Sequence, residues 1–143
     1  MEPNAPLYLD LPPAALHPNS RAPVQARFGA RSKYRKTSGE LAFGWAFLHF
    51  GCRPRFRSAI LEMTFEIPRP TRGRAQRHDP DNLIAWAKSA VDALTDGGIL
   101  ADDREVVYLP PIQILGTDVG RLGIVIREYE PEVCPLCGKP RSS

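Results

Sequence analysis

Residues 79–103 decide the fold: DPDNLIAWAKSAVDALTDGGILADD places a helical pattern between two pairs of aspartates. At about 100° per residue, the apolar side chains of Asn82–Thr95 fall on one broad face of a helix. Asp81 is predicted to cap this helix, and Gly97-Gly98 to end it. The apolar face, which we expect to be buried, consists of Leu83, Ile84, Trp86, Ala87, Ala90, Val91 and Leu94.

Four aspartates flank this helix, Asp79 and Asp81 before it and Asp102 and Asp103 after it. Carboxylates repel one another unless a cation lies among them, and oxygen ligands are those that Mg²⁺ and Mn²⁺ prefer. The pattern therefore predicts a metal site, provided that the second pair returns to the start of the helix. The alternative is purely structural, with Asp81 as a simple cap and the second pair as an acidic turn.

Upstream of the aspartates, residues 61–67 alternate between apolar and polar side chains, which predicts a strand with one face in the core. Residues 68–77 follow as a loop that contains glycine, proline and four arginines. Such a loop can bring phosphate groups toward a metal, although a loop exposed to solvent without a ligand is the alternative. The arginines are Arg69, Arg72, Arg74 and Arg77.

The remaining elements predict a mixed α/β domain of the α+β type, in which two helices pack on one mixed sheet. Its predicted order is strand, helix, strand, helix, strand, strand. The additional elements are an edge strand at 7–9, a helix at 37–50, a strand at 105–115 interrupted by two prolines, and a strand at 122–128. We expect residues 1–130 to form this single domain and residues 131–143 to form a tail. The aromatic residues expected to fill the core from the first helix are Phe43, Trp45, Phe47 and Phe50.

Residues 31–36, RSKYRK, are predicted to form an exposed basic loop. An aromatic residue between basic ones suits a nucleic acid, because Tyr34 can stack on a base while its neighbours pair with phosphates. A solvated loop is the alternative. The basic residues are Arg31, Lys33, Arg35 and Lys36.

The chain of 143 residues is 43% hydrophobic, which is enough for one domain with a single core. Its formal charge of +3 is unevenly distributed, since residues 1–78 carry +8 and residues 79–143 carry −5. A basic part that binds phosphate beside an acidic part that binds cations favours a metal-dependent enzyme of nucleic acid. The alternative is an unevenly charged solvated surface.

No segment approaches the ~20 apolar residues that span a bilayer. The first residues, MEPN, lack a signal sequence, so we expect a soluble cytoplasmic protein with no membrane partner. Three cysteines argue against a disulfide framework. Cys134 and Cys137 form one CxxC, and two such tails in a dimer could share Zn²⁺; a reduced, flexible tail is the alternative.

Three motif segments occur in order: Asp79-x-Asp81-Asn82, then Lys88-x-x-x-Asp92-x-Leu94, then Gly98-x-x-x-Asp102-Asp103-x-x-Val106-Val107. Together they resemble the RusA-like family of Holliday junction resolvases, endodeoxyribonucleases often carried by phages and prophages. The motif region covers about 30 of the 143 residues. Residues 18–21 are weakly similar to the opening of that family.

The resemblance implies a small homodimer that cuts branched double-stranded DNA in recombination and repair, with Mg²⁺ or Mn²⁺ as cofactor. Carried over residue by residue, it makes Asp79, Asp81 and Asp103 the catalytic metal ligands, with Asp102 as an adjacent contributor. The competing hypothesis is a non-catalytic DNA-binding or regulatory protein that uses the basic half and a zinc-binding tail.

Lys88 resembles the active-site lysine of the family, but it follows Asp81 by seven rather than four residues. On a helix both offsets lie on the same face, and the lysine moves from about 6 Å to about 10.5 Å along the axis. An ion pair with Asp92 is the alternative role. His78, which precedes Asp79, could accept a proton or contact a phosphate, and an exposed loop histidine without such a role is the alternative.

Overall fold

A computed structural model describes residues 5–50, 56–101 and 106–128, with only the backbone of Phe50. Within these ranges one mixed sheet packs against helices, which confirms the predicted α+β class. No helix in the described ranges is long and apolar enough to cross a membrane. In chain order the elements are β1 (Leu7–Asp10), a 3-10 turn (Ala14–Leu16), α1 (Val24–Phe50), β2 (Ala59–Pro68), α2 (Pro80–Trp86), α3 (Lys88–Asp96), β3 (Val106–Tyr108), β4 (Ile112–Thr117) and β5 (Arg121–Glu128).

The sheet is built around β2, which pairs with β5 on one side and with both β3 and β4 on the other. β5 is antiparallel to β2 and to β1, whereas β3 and β4 run parallel to β2. Proline cannot donate to a ladder, so the predicted interruption at Pro110-Pro111 separates β3 from β4. Both strands still pair with the same edge of β2. Their register with β2 therefore fixes the position of each of their residues along the sheet.

The alternation of β2 is confirmed. Leu61, Met63 and Phe65 are completely buried, and Ile67 nearly so. Glu62 and Glu66 lie on the opposite face, where they form ion pairs with two arginines of β5. Helix α2 covers the buried face, since the ring of Trp86 stacks on that of Phe65 with centroids 6.3 Å apart.

The predicted helix after the first aspartates exists, but it begins earlier and is interrupted at Ala87. The prediction that Asp81 caps it is wrong. Asp79 is the cap, because Pro80 has the backbone angle suited to the first helical position and leaves Asp81 in the first turn. Its apolar face is buried as predicted, apart from the partly exposed Ile84. Gly98 ends the segment with a positive φ of 75°, as expected of a helix stop.

Helix α1 is longer than predicted, since it runs through the basic residues 31–36 that were expected to form a loop. No proline interrupts residues 24–50, and arginine, lysine, alanine and glutamine are good helix formers. The helix packs through one stripe of i, i+4 positions, and the predicted core roles of Phe43 and Phe47 are wrong, because they are 47% and 59% exposed. Trp45 is partly buried against the core. The buried stripe is Tyr34, Ser38, Ala42 and Ala46.

Candidate functional site

Asp79 and Asp81 lie together at the start of α2, and both are exposed. Asp79 has an extended backbone, and its Oδ1 accepts a hydrogen bond from the N–H of Asp81 at 3.2 Å. Within the described residues, no hydrogen bond or ion pair occupies the second carboxylate oxygen of Asp79 or the carboxylate of Asp81. In the described part of the chain, neither side chain forms an ion pair with a cationic residue, although arginine-rich residues 69–77 precede them directly.

Gln113 of β4 holds the backbone that leads into Asp79. Its Oε1 accepts the N–H of His78 at 2.8 Å, and its Nε2 donates to the carbonyl of His78 at 2.8 Å. Gln113 itself is paired with Phe65 in the sheet, so the approach to the aspartates is tied to the rigid core. Gln113 was not among the predicted site residues. Its only signal is a polar side chain within the otherwise apolar run Ile112–Leu115.

His17 and His78 form a cluster with Trp86 beside this approach. Nε2 of His17 lies 3.3 Å from Nδ1 of His78, and both rings pack on the indole, with centroids 5.4 and 5.9 Å away. The indole N–H donates to the carbonyl of Pro13 at 3.0 Å, which fixes the loop that carries His17. Burial lowers the pKa of His17, and the neighbouring His78 lowers it further. No local pattern in the sequence singles out His17 as a site residue.

Lys88 begins α3, immediately after the interruption at Ala87. Its Nζ lies 3.1 Å from Oδ1 of Asp92, so the alternative role of an i,i+4 ion pair is realised. The lysine side chain is 54% exposed, which leaves it accessible to an anion. Its role as an active-site lysine stays a prediction.

The basic residues of α1 are not equivalent. Arg35 makes a bidentate ion pair with Asp96 at 2.9 and 2.8 Å, which raises the pKa of Arg35. Arg31, Lys33 and Lys36 are exposed. Tyr34 does not stack on a ligand, because it is buried and its hydroxyl donates to the carbonyl of Asp10 at 2.7 Å. The stacking prediction is therefore wrong, and burial raises the pKa of this phenol.

The arginines between β2 and α2 lie in an exposed loop, as predicted. Arg69 is tied to the sheet, since its Nε donates to the carbonyl of Gly116 at 3.0 Å. The others, Arg72, Arg74 and Arg77, form no ion pair within the described residues. Their contact with DNA stays a prediction.

Asp102 and Asp103 lie outside the described residues, as do Cys134 and Cys137. The described neighbours of the second aspartate pair lie near the start of β2, where Leu100 pairs with Phe56 and Val106 with Ala59. Gln113, which holds the backbone of His78 next to the first pair, is at the level of Phe65, six residues or about 20 Å further along the strand. Convergence of the two pairs stays a prediction.

Among the residues that the structure describes, no group of three or more His, Cys, Asp or Glu side chains is placed to hold a metal ion. The described part of the candidate site consists of the carboxylates of Asp79 and Asp81, the backbone of His78 held by Gln113, and the arginine-containing loop 69–77. A comparison of the sequence with protein-family models and with curated proteins finds no match. The likeness to RusA-like resolvases thus rests on the motif residues themselves.

Proposed function

We propose that this chain is a metal-dependent endodeoxyribonuclease that cuts Holliday junctions or related branched DNA in recombination and repair, in the manner of the RusA-like resolvases. The observation that carries the proposal is the first aspartate pair. Asp79 and Asp81 are exposed, lack cationic partners in the described part of the chain, and directly follow an exposed loop with four arginines. This arrangement suits a divalent cation and a DNA phosphate at one place.

The donor atoms present fit Mg²⁺ or Mn²⁺. Both cations prefer hard oxygen ligands, and Mg²⁺ is commonly held by only one or two carboxylates together with water and substrate phosphates. Asp79 and Asp81 would hold the ion, which when bound polarises the scissile phosphodiester. Asp102 and Asp103 as further ligands, and Zn²⁺ at Cys134 and Cys137, stay predictions.

The other residues of the chain bind and orient the DNA. The arginines of residues 69–77 neutralise phosphates next to the aspartates, and Gln113 keeps the approach to Asp79 in one conformation. Lys88 is accessible to a phosphate despite its pair with Asp92. The exposed basic side chains of α1 extend the backbone contacts. A cytoplasmic homodimer with two such sites would make a symmetric pair of nicks.

Cleavage of a synthetic four-way junction, with Mg²⁺, Mn²⁺ or a chelator, tests this function. Asp79→Asn removes the carboxylate but keeps a capping side chain at the start of α2. We expect its cleavage rate to fall by at least about 100-fold, the loss typical of removing one group that stabilises the transition state, while junction binding persists. Asp118→Asn, at an exposed turn between β4 and β5, is the matched control and should cut normally.

The same assay distinguishes the nuclease from the competing hypothesis of a non-catalytic protein. Cleavage that needs the metal and Asp79 supports the nuclease, and flaps and linear duplexes run in parallel define its preferred substrate. Binding without cleavage under both metals would contradict the nuclease. That outcome would favour the non-catalytic DNA-binding or regulatory protein.

A further inference from the structure

The cluster of His17 and His78 has a defined direction of hydrogen bonding. Nδ1 of His17 accepts the backbone N–H of Asn19 at 3.1 Å. A ring nitrogen that accepts carries no proton, so neutral His17 holds its proton on Nε2. That Nε2 faces Nδ1 of His78 at 3.3 Å. Nδ1 of His78 is therefore the acceptor, and neutral His78 carries its own proton on Nε2.

The ring of His78 is also held in place. Its backbone is clamped on both sides by Gln113, and its imidazole lies against Trp86 at an interplanar angle of 27°. The indole is fixed in turn by its bond to Pro13. In the described part of the chain, Nε2 of His78 has no hydrogen-bond partner. A half-buried N–H donor is thus oriented on the residue immediately before Asp79.

We propose that His78 donates a hydrogen bond from Nε2 to a non-bridging oxygen of the scissile phosphate, and that His17 is the positioning residue that imposes this tautomer on it. The inference rests on the proposed nuclease function and specifies a role at the same site. The alternative role of His78, proton acceptor, requires an unprotonated Nε2. The chain of hydrogen bonds from Asn19 through His17 excludes that state for the neutral pair.

A fixed donor aimed at a phosphate oxygen stabilises the charge that accumulates there in the transition state. It requires no reorganisation, because Gln113 and Trp86 already hold the backbone and the ring. A metal site made of the two histidines fits the geometry less well. A neutral imidazole that binds a metal through Nε2 carries a proton on Nδ1, and Nδ1 of His17 faces the N–H of Asn19.

Two substitutions of His78 distinguish the role of hydrogen-bond donor from that of proton acceptor. Glutamine places an amide N–H close to the position of Nε2 but cannot act as a base, whereas phenylalanine keeps the ring packing and removes the N–H. On a four-way junction with Mg²⁺, we expect His78→Phe to lower kcat about 100-fold and His78→Gln to remain within about 10-fold of the wild type. KM should change little in both. His49→Phe, on α1, is the control and should cut normally.

The tautomer is measured independently of cleavage. In the ¹⁵N-labelled full chain at mildly alkaline pH, the ring nitrogens of His78 should show the Nε2–H form, and His17→Phe should convert part of it to the Nδ1–H form. The same His17 variant should lower kcat about 10-fold without loss of fold, as judged by circular dichroism.

The possible results separate the two proposals. A wild-type chain that cuts while His78→Phe cuts equally well would overturn the donor role and leave the nuclease intact. Equal losses for His78→Gln and His78→Phe, or an Nδ1–H form of His78 in the wild type, would also overturn it. A wild-type chain that cuts no branched DNA would overturn the nuclease, and the role of His78 with it.

Discussion

Helix α1 and the segment α2–α3 contribute to the same core, but they do so with different side chains. The second segment buries large residues such as Leu83 and Leu94, which are fully covered. Helix α1 buries the small side chains of Ala42 and Ala46 in this core and leaves Phe47 largely exposed. A helix facing a sheet has room for large side chains, whereas two helices that approach closely need small ones. Aromatic content alone therefore does not indicate which face of a helix is buried.

The close approach of α1 and α3 is visible at Gly39 and Gly97. A Cβ added to Gly97 would lie 3.3 Å from the carbonyl oxygen of Gly39 on α1 and equally close to that of Ala93. The end of α3 thus meets the backbone of α1 with little space for a further carbon. The bidentate pair of Arg35 with Asp96 lies beside this contact and joins the same two helices.

The largest loss of stability is expected in the segment α2–α3, which buries large residues. Leu94→Ala should lower the free energy of unfolding by about 2–5 kcal/mol, because it removes a fully buried side chain and leaves a cavity. Urea denaturation of both chains measures the difference. A loss below about 1 kcal/mol would show that the surrounding core collapses around the cavity and would weaken the contrast between the two helical segments.

An intermediate effect is expected from the small-residue contact of α1. Ala46→Leu should cost about 1–3 kcal/mol, because extra carbons at a completely buried position force the surrounding side chains and backbone to shift. Gly44→Ala is a control on the same helix, where an added Cβ meets nothing within 4 Å. This control should stabilise the chain by about 0.5–1 kcal/mol, since glycine is unfavourable inside a helix. Equal destabilisation by both variants would refute the close contact.

The smallest effect is expected at the exposed aromatics. Phe47→Ser should change the free energy of unfolding by no more than about 0.5 kcal/mol, because the ring is 59% exposed and the two residues have similar helix propensities. The same urea titration measures it. A loss well above 1 kcal/mol would mean that Phe47 is covered by contacts that the isolated chain does not make, and the contrast between the two segments would then disappear.

Much of the fold was predictable from local patterns. The alternation of β2, the apolar face around Trp86 and the helix stop at Gly98 all follow from periodicities of 2 and 3.6 residues and from the preference of glycine for positive φ. The start of α1 was not predictable in this way. Its basic residues suit an exposed loop and an exposed helical face equally well.

The residues of the candidate site were likewise only partly predictable from the sequence. Asp79 and Asp81 stand out in the sequence because their spacing is local, and the structure places both at the start of α2. Tyr34 was assigned to the surface by its basic neighbours, but its partner is the carbonyl of Asp10, 24 residues away. Lys88 and Asp92 are one helical turn apart, so their ion pair was foreseen as an alternative.

The sequence by itself determined the alternating strand, the amphipathic helix and the acidic pair at its start, since each depends on residues within a few positions of one another. Only the tertiary structure decided that Gln113 clamps the backbone of His78 and that the rings of His17 and His78 face each other, across 35 and 61 positions of the chain. The physical reason is that a hydrogen bond between side chains depends on where the packed sheet and loops place them. Such a bond leaves no periodic pattern in the sequence.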